Sequence, residues 1–392
     1  MENQTSKYFL LHYGELALKG GNRKRFEDKL VDNVRSRLDG AGIKSIRKLQ
    51  GRILLEVENS ASLDVLTEKL SKTFGLVAFA PTILAKPTLA DIEEKVACEI
   101  RNRDFKTFAV RARRNEKRLP FTSQQVNEHI GGIVLDACKG VKVNLSNPET
   151  TIAIEIFEGQ AFISLDKFAG PGGLPTGTGG RVSCLISGGI DSPVAAWRMM
   201  KRGLTVDFIH FHSDTFTDSA SKEKVREVVE MLSSWMVGKP KLVMIPFAGV
   251  QRKIVTEVPE EFRVILYRRF MIRIAESVAR KNGSHALVTG EAIGQVASQT
   301  LTNLVTIDSI ATMPVLRPLI GMDKQEIVDM ARKIGTYELS ILPHNDCCQF
   351  LEPRKPATSS RPLQLENVEK VLDVEELIKE GLTGIETADI CR

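Results

Sequence analysis

The stretch SGGIDS, residues 187–192, carries the residue types of a phosphate-binding loop. It follows an apolar run that predicts a buried strand, 182–186, and precedes a predicted helix with Pro193 in its first turn, where a missing N–H costs little. Two glycines allow backbone conformations closed to other residues, so successive N–H groups and the helix start can hold an anion. The predicted donors are the main-chain and hydroxyl groups of Ser187, Gly188, Gly189 and Ser192.

Asp191 places a carboxylate in the same turn. A carboxylate repels phosphates unless it faces a magnesium ion that bridges them. The turn therefore predicts ATP and Mg²⁺ as ligands, and it does so without a Walker lysine, because G-x-x-x-x-G-K-[ST] is absent. The alternative is a plain glycine-rich turn.

Residues at later strand ends supply other parts of a nucleotide site. His210 and Phe211 close the second strand of this half, where a base or ribose would lie; a buried structural pair is the alternative. Gly290 and Gln299 follow the fourth strand and offer a close backbone approach and amide hydrogen bonds.

Three basic residues, Arg268, Arg269 and Lys324, have both a structural and a functional interpretation. Arg268 and Arg269 on a long predicted helix could meet phosphates, or could simply face solvent. Asp323 is the expected N-cap of a helix that begins with Lys324. Capping explains Asp323 by itself, and the functional alternative for Lys324 is a lysine beside a leaving pyrophosphate.

Adjacent cysteines, Cys347 and Cys348, occur in the polar stretch HNDCCQFLEPRKP. Cysteines that serve packing favour apolar surroundings. Three nearby side chains can stabilise a thiolate, which predicts a nucleophile or a persulfide carrier: His344, Arg354 and Lys355. ATP can turn a carbonyl oxygen into a leaving group, and a persulfide sulfur can then attack the activated carbon. The combined chemistry exchanges oxygen for sulfur.

The composition bounds the class of protein. The 392 residues are 42% hydrophobic, which suffices for two or three cores. No apolar run reaches the ~20 residues that span a bilayer, and the N-terminal sequence lacks a secretory signal, so no membrane association and a cytoplasmic location are expected. Six scattered cysteines without a C-x-x-C pair predict free thiols and no zinc site.

The net charge of +5 lies entirely in the first part of the chain. Residues 1–168 contain 27 Lys+Arg and 22 Asp+Glu, whereas the remainder contains 54 − 27 = 27 and 49 − 22 = 27. A basic front half indicates a polyanionic partner, with a solvated basic surface as the alternative.

A stretch with six glycines and two prolines, 170–180, predicts a linker. Before it, two α+β units are expected; after it, strands and helices alternate, which predicts a doubly wound parallel sheet in an α/β domain. Ligands of such sheets bind at the carboxyl ends of strands, where the connections reverse.

The chain resembles the tRNA uridine 4-sulfurtransferases over nearly its whole length. The motifs that carry the resemblance are YGELALKGGNR at 13–23, VRARRNEKRLPFTSQQVN at 110–127, PGGLPTGTGGRVSCLISGGIDSPVA at 171–195, GEAIGQVASQT at 290–300 and the DCC stretch. The resemblance implies an N-terminal ferredoxin-like domain (1–62), a THUMP RNA-binding domain (63–168), the linker (169–180) and a PP-loop ATP pyrophosphatase domain (181–392).

The resemblance also implies a reaction, ATP-dependent transfer of persulfide sulfur to uridine 8 of tRNA through an adenylated uridine, with sulfur transfer for the thiazole of thiamine in many bacteria. It places Asp191 as the essential acid, Cys347 as the catalytic thiol and Lys324 as a further candidate. Nucleotide contacts would fall on Leu185, Ile186, His210, Phe211, Arg268, Gly290 and Gln299.

The family implies a cysteine desulfurase as persulfide donor, and a sulfur-carrier protein is a further expected partner. Longer relatives append a rhodanese-like domain, which this sequence lacks, so the persulfide would form on this domain or arrive from another protein. Cys348 or Cys391 would then resolve a disulfide, although a vicinal ring would be strained. The oligomeric state is left open, with a homodimer as one alternative.

The basic residues of the front half suit the phosphates of a folded RNA. One group lies at a helix start and a second crowds a loop before Phe121: Lys19, Arg23, Lys24 and Arg25, then Arg111, Arg113, Arg114, Lys117 and Arg118. Few aromatic residues are interleaved, which favours shape recognition of a helical stem.

Two other functions fit parts of the sequence. A PP-loop ligase or amidotransferase would adenylate a carbonyl and deliver nitrogen, without needing the cysteine pair or a basic RNA module. A non-catalytic RNA-binding protein would use ATP only as a structural ligand.

Overall fold

The chain folds into two units, each with its own sheet. They divide at Pro175, inside the predicted linker, into Met1–Pro175 and Thr176–Arg392. No helix or strand is formed over 170–180. The computed structural model describes residues 8–101, 103–115, 118–213, 219–343 and 355–390.

The first unit contains one mixed sheet. Its strands, within the described residues, are β1 (Tyr8–Tyr13), β2 (Ile43–Leu49), β3 (Arg52–Val57), β4 (Leu76–Ala85), β5 (Thr107–Arg114), β6 (Lys142–Val143), β7 (Thr150–Phe157), β8 (Gln160–Ser164) and β9 (Phe168–Ala169). Their order is β2-β3-β1-β4-β8-β7-β5-β6, and β9 pairs with β4. β5 pairs in parallel with β6 and β7, whereas the other pairs are antiparallel.

The helices of this unit differ in how they begin. They are α1 (Arg23–Arg37), α2 (Leu63–Ser71), α3 (Leu89–Ile100) and α4 (Ser123–Ala137). Ser62, Thr88 and Thr122 cap α2, α3 and α4 through side-chain oxygens that accept backbone N–H groups. Helix α1 has no side-chain cap and no acid in its first turn. Its basic start therefore adds positive charge to the positive end of the helix dipole, as an anion-binding surface does.

The two larger apolar cores of the described residues in this unit lie against its sheet. The second of them is formed by α3, α4 and the strands around β5, with Val96 and Val126 fully buried. The first is formed by α1, β1 and β3, and it also contains Leu66 and Leu70 of α2. Helix α2 therefore packs into the core of the first domain. The predicted boundary at residue 63 assigns it to the second domain instead. The helix buries its apolar face on the nearest sheet surface, and the sequence does not reveal which surface that is.

The second unit contains a sheet whose strand order reverses at its third member. Its strands are β10 (Arg181–Leu185), β11 (Thr205–His212), β12 (Lys241–Pro246), β13 (Leu287–Val288), β14 (Val315–Leu316) and β15 (Glu386–Asp389). The order is β14-β13-β10-β11-β12-β15, parallel except for β15. The chain adds β11 and β12 on one side of β10, then β13 and β14 on the other. The doubly wound prediction is confirmed, with the reversal at β10.

Helices cover this second sheet. They are α5 (Asp191–Lys201), α6 (Ser219–Ser233), α7 (Ala248–Glu257), α8 (Arg263–Lys281), α9 (Leu301–Asp308), α10 (Lys324–Ile334), α11 (Tyr337–Ser340), α12 (Pro362–Glu369) and α13 (Val374–Gly381). Helices α12 and α13 are separated by residues 370–373, and Asp373 caps α13. In the described part of the chain, no helix has the length and apolar character to cross a bilayer.

Arg269 has neither of the two positions expected for it. It is completely buried in α8, and its guanidinium binds Glu369 of α12 with N–O distances of 2.8 and 2.9 Å. Arg273 binds the same carboxylate at 2.8 and 2.9 Å. The two arginines hold the pKa of Glu369 below the ordinary value, although burial alone would raise it. Arg269 therefore joins α8 to α12.

Candidate functional site

A pocket of about 330 Å³ lies at the carboxyl ends of β10 and β11, where the strand order reverses. Ligands of doubly wound sheets occupy this position. The pocket brings together side chains that are more than a hundred positions apart in the sequence. The predicted nucleotide contacts in its lining are Leu185, Ile186, Ser187, Ser192, His210, Phe211, Arg268, Gly290 and Gln299.

Serine hydroxyls close the predicted phosphate loop. The Ser187 N–H donates to Ser192 Oγ at 2.9 Å, and the Gly189 N–H donates to Ser187 Oγ at 3.2 Å. Neither Gly188 nor Gly189 has a positive φ in this turn. Hydrogen bonds to the two hydroxyls hold the turn in place. Neither glycine lines the pocket, whose wall at this point is formed by the serines.

Asp191 lies in the first turn of α5 at the same edge of the pocket. Its Oδ1 accepts a hydrogen bond from Lys324 Nζ at 2.7 Å, and its Oδ2 accepts one from Gln295 Nε2 at 3.2 Å. Lys324 and Asp191, both predicted as catalytic residues, therefore form an ion pair. The capping role expected for Asp323 is present as well, since its Oδ1 accepts the Glu326 N–H at 2.9 Å.

An apolar wall lies along the opposite side of the pocket. His210 is buried, and its Nδ1 donates to the Ile186 carbonyl at 2.9 Å, which joins β11 to the residue after β10. Phe211 packs edge-on against Phe247, with ring centroids 5.3 Å apart. The sequence offered a nucleotide contact or a buried structural pair as alternatives for His210 and Phe211. The structure fits both, because the two side chains are buried and also line the pocket. This wall suits a planar base.

Glu291 is a pocket residue that sequence reasoning missed. Its Oε1 binds Arg268, and its Oε2 accepts from Arg317 Nε at 2.6 Å and from Thr289 Oγ1 at 2.9 Å. Burial alone would raise the pKa of Glu291, but the charges of Arg268 and Arg317 lower it. The carboxylate thereby fixes Arg268 in the lining. Its position directly after Gly290, in a motif shared with a known family, was the available signal.

Arg317 continues this network away from the pocket. Its Nη1 and Nη2 donate to the two Asp308 oxygens at 2.8 and 2.6 Å. Arg317 is therefore held by two carboxylates, and it fixes the position of Glu291 on the side away from the pocket.

Gly290 packs directly on the backbone at the start of α5. A Cβ at this position would lie 2.7 Å from Ser192 N and 2.9 Å from Asp191 C, so main-chain atoms would have to move. A Cβ on Gly189 would approach Ser187 Oγ at 3.4 Å, an ordinary contact.

The variant Gly290→Ala should unfold more easily, by about 1–3 kcal/mol, because overpacking forces backbone shifts. Gly189→Ala should keep the wild-type melting temperature and lose ATP affinity only if a ligand approaches that backbone. Thermal unfolding and calorimetric ATP binding distinguish the two variants. Equal stability of Gly290→Ala and the wild type would contradict the packing argument.

Two of the basic residues at or just before the start of α1, Arg23 and Lys19, already contact other side chains. Arg23 donates to Glu27 at 2.7 Å and to the Tyr13 hydroxyl at 3.1 Å, and Lys19 Nζ lies 5.3 Å from the centre of the Phe26 ring. Two further cations at this helix start are exposed to solvent, Lys24 and Arg25.

The second basic group was predicted on a loop, and this is wrong for three of its members. Arg111, Arg113 and Arg114 belong to strand β5, which pairs with β7 up to Arg114. Their alternating burial leaves Arg111 and Arg113 exposed on one face, because side chains in a strand alternate. Arg118 is also exposed, and Lys117 lies outside the described residues.

The predicted sulfur-carrying residues lie outside the part of the chain that the structure describes. Cys347, Cys348 and the neighbouring His344 and Arg354 lie outside the described residues, as does Cys391. Cys184, by contrast, is fully buried in β10, and burial raises the pKa of its thiol well above the ordinary value. A thiol in this environment stays protonated.

Three family models match consecutive parts of the chain. Residues 8–80 match the ThiI ferredoxin-like domain, residues 87–166 match the THUMP domain, and residues 177–374 match the model described as Thiamine biosynthesis protein (ThiI). The first match includes α2, in agreement with its packing.

Curated relatives match along almost the entire chain. A probable tRNA sulfurtransferase of Brevibacillus brevis is 43% identical over 97% of this chain and 96% of its own length. A probable tRNA sulfurtransferase of Moorella thermoacetica is 42% identical over 96% of each chain.

Solved structures are also similar to this one. A 4-thiouridine synthetase crystallised with RNA and bound ATP has a TM-score of 0.88, is 37% identical, and covers 98% of this chain and 99% of its own. The protein PH1313 from Pyrococcus horikoshii Ot3 has a TM-score of 0.65 and 25% identity over 84% of this chain and 99% of its own.

Proposed function

This chain belongs to the tRNA sulfurtransferase family, and we propose that it uses ATP to transfer sulfur to uridine 8 of tRNA, forming 4-thiouridine. The observation that carries the proposal is the convergence of the predicted nucleotide contacts in one pocket beside the Asp191–Lys324 pair. ATP bound to the similar 4-thiouridine synthetase supports this assignment of the pocket.

The residues of the pocket fit ATP. The apolar wall with Phe211 suits the adenine base, and the hydroxyls of Ser187 and Ser192, with Arg268, suit phosphate oxygens. Within the described residues, no group of three or more metal-ligating side chains occurs. If a magnesium ion binds with ATP, Asp191 would hold it together with phosphate oxygens, and the ion would neutralise phosphate charge.

The proposed reaction has two stages. First, O4 of the uridine attacks the α-phosphorus of ATP, and pyrophosphate leaves. The terminal sulfur of a cysteine persulfide then attacks C4, and AMP leaves with the former O4. A second thiol attacks the sulfur that remains bound to the protein, so that a disulfide forms and the thiocarbonyl stays on the base. We assign the pair Asp191 and Lys324 to the departing pyrophosphate in this scheme.

The thiol assignments rest on the sequence. Cys347 is proposed to carry the persulfide, with Cys348 or Cys391 as the resolving thiol. A cysteine desulfurase is proposed as the sulfur donor. Transfer to a sulfur-carrier protein for thiamine thiazole synthesis stays a prediction, as does a homodimer.

The test is a thiolation assay with ATP, magnesium, a persulfide source and unmodified tRNA. We expect the near-ultraviolet absorbance of a thiocarbonyl base, and no signal from a tRNA with cytidine at position 8. Cys347→Ser and Cys348→Ser, made singly, assign the thiols. Pyrophosphate release without thiolation would favour a ligase or amidotransferase, and no pyrophosphate release would favour a non-catalytic RNA-binding protein.

The exposed cations of the first unit are proposed to bind tRNA phosphates. We expect the double variant Lys24→Ala/Arg113→Ala to reduce the slope of log affinity against log salt by about 2, since each phosphate contact releases roughly one counterion. Titration of tRNA at several salt concentrations measures this slope. Lys95→Ala, which removes a half-exposed cation outside both basic groups, is the control. An unchanged slope in the double variant would contradict the assignment.

A further inference from the structure

One helical segment, α10 and α11, contacts the phosphate loop at both of its ends. At its start, Lys324 Nζ donates to Asp191 Oδ1 at 2.7 Å. At its end, Ser340 Oγ donates to the Gly189 carbonyl at 3.3 Å. A capping box at Asp323 and Glu326 fixes the beginning of α10, and Gly335 ends it with a left-handed φ of 89°. The segment is thus a defined connection between the two sides of the loop.

A buried lysine from another helix fixes the end of this segment. Lys224 of α6 is only 5% exposed, and its Nζ donates to the carbonyls of Ser340 and Leu342 at 2.9 and 2.7 Å. The last carbonyls of a helix lack intrahelical donors. A cation at this end is also attracted to the negative end of the helix dipole. Removing an ammonium from water costs several kcal/mol. Water or an exposed side chain would satisfy these carbonyls without that cost. The buried lysine therefore indicates that the end of the segment, Ser340 to Leu342, is held in a fixed position.

The position that Lys224 fixes leads directly to the predicted sulfur chemistry. Four residues separate Leu342 from Cys347 in the sequence. On the far side of the cysteines, the chain is also tied to the pocket wall. Asn303 Nδ2 donates to the Ala357 carbonyl at 2.9 Å, and Thr300 Oγ1 donates to the Thr358 carbonyl at 2.8 Å. Thr300 follows the pocket residue Gln299.

We propose that Lys224 is a positioning residue for the sulfur-transfer stage: with Ser340, it holds the chain that leads to Cys347 at a fixed place beside the phosphate loop. This inference rests on the proposed function. Lys224 does not line the pocket, so ATP binding and pyrophosphate release should depend on it much less than thiolation does. Attack of sulfur on C4 does require it, because misplacement of reacting groups by about 1 Å can cost about 10²-fold in rate.

The test measures both stages in one preparation. In single turnover with tRNA, we expect Lys224→Met to release pyrophosphate within about twofold of the wild-type rate and to form 4-thiouridine about 10²-fold more slowly. Lys224→Arg, which can also donate to two carbonyls, should recover part of the thiolation rate. Lys222→Met is the matched control, because Lys222 lies on the same helix and pairs at 3.6 Å with Glu386 instead.

Ser340→Ala provides a second variant that removes only one hydroxyl. It should slow thiolation more than pyrophosphate release, in the same direction as Lys224→Met. Equal losses in both stages, or no loss in either, would overturn the positioning role. A wild-type protein that neither releases pyrophosphate nor thiolates tRNA would instead contradict the proposed function.

Discussion

The variant Asp191→Asn is expected to lose pyrophosphate release and thiolation by about 10²–10³-fold, the range measured when one electrostatic partner is removed from an active site. Asp191 supplies the carboxylate at the proposed phosphate end of the pocket and accepts a hydrogen bond from Lys324 Nζ at 2.7 Å. Asparagine keeps the shape and the contact with Gln295 but removes the charge. A neutral side chain neither attracts a magnesium ion nor fixes the lysine. The measurement is single-turnover pyrophosphate release with tRNA present.

The loss should not come from unfolding. An acid in the first turn of a helix stabilises it by about 0.3–1 kcal/mol, so Asp191→Asn shifts the thermal midpoint only slightly. Asp323→Asn is a matched control, since Asp323 caps α10 at the same edge of the pocket and asparagine caps a helix about as well as aspartate. Near-normal turnover by Asp191→Asn would contradict the assignment of this site.

The variant Glu291→Gln is expected to lose both stability and ATP affinity. Its carboxylate binds two arginines, and removing one partner of a buried ion pair costs about 3–5 kcal/mol, or roughly 6–20 °C in the unfolding midpoint of a unit of this size. Arg268 also loses the group that fixes it in the pocket. Because hydrogen bonds to charged groups contribute about 1.5–3 kcal/mol, ATP affinity should fall about tenfold or more.

Glu369→Gln separates these two effects. Glu369 is also buried and also binds two arginines, Arg269 and Arg273, but it does not line the pocket. This variant should be destabilised to a similar degree and bind ATP like the wild type. If both variants lost the same amount of ATP affinity, the role of Glu291 in the pocket would be refuted.

The stability difference between the wild type and Glu291→Gln should depend on pH. The folded state lowers the pKa of Glu291 below its ordinary value of 4.5, so its ionised form stabilises the protein above that pH. The contribution is lost as the pH falls through the lowered pKa. Denaturant unfolding should therefore give a constant difference near neutral pH and a shrinking one below pH 4.5. A difference that grows on acidification would contradict the direction of the shift.

The sequence by itself determined the local features of this protein. Residues 187–192 indicated a phosphate loop, because an apolar strand, a polar turn and a helix start follow one another directly. Alternating strands and helices indicated a doubly wound sheet, and the reversal of that sheet placed the loop at its ligand-binding edge. The caps of α2, α3 and α10 are likewise set by neighbours within three residues. Each of these features depends on short-range backbone geometry.

Only the tertiary structure decided which distant groups meet. It paired Lys324 with Asp191, placed Glu291 between Arg268 and Arg317, buried Arg269 against Glu369, and put Lys224 on the carbonyls that precede the cysteines. It also assigned α2 to the first core. The physical reason is that these contacts join elements far apart in the chain. Their partners are selected by packing and charge compensation in three dimensions, which leave no periodic signal in the sequence.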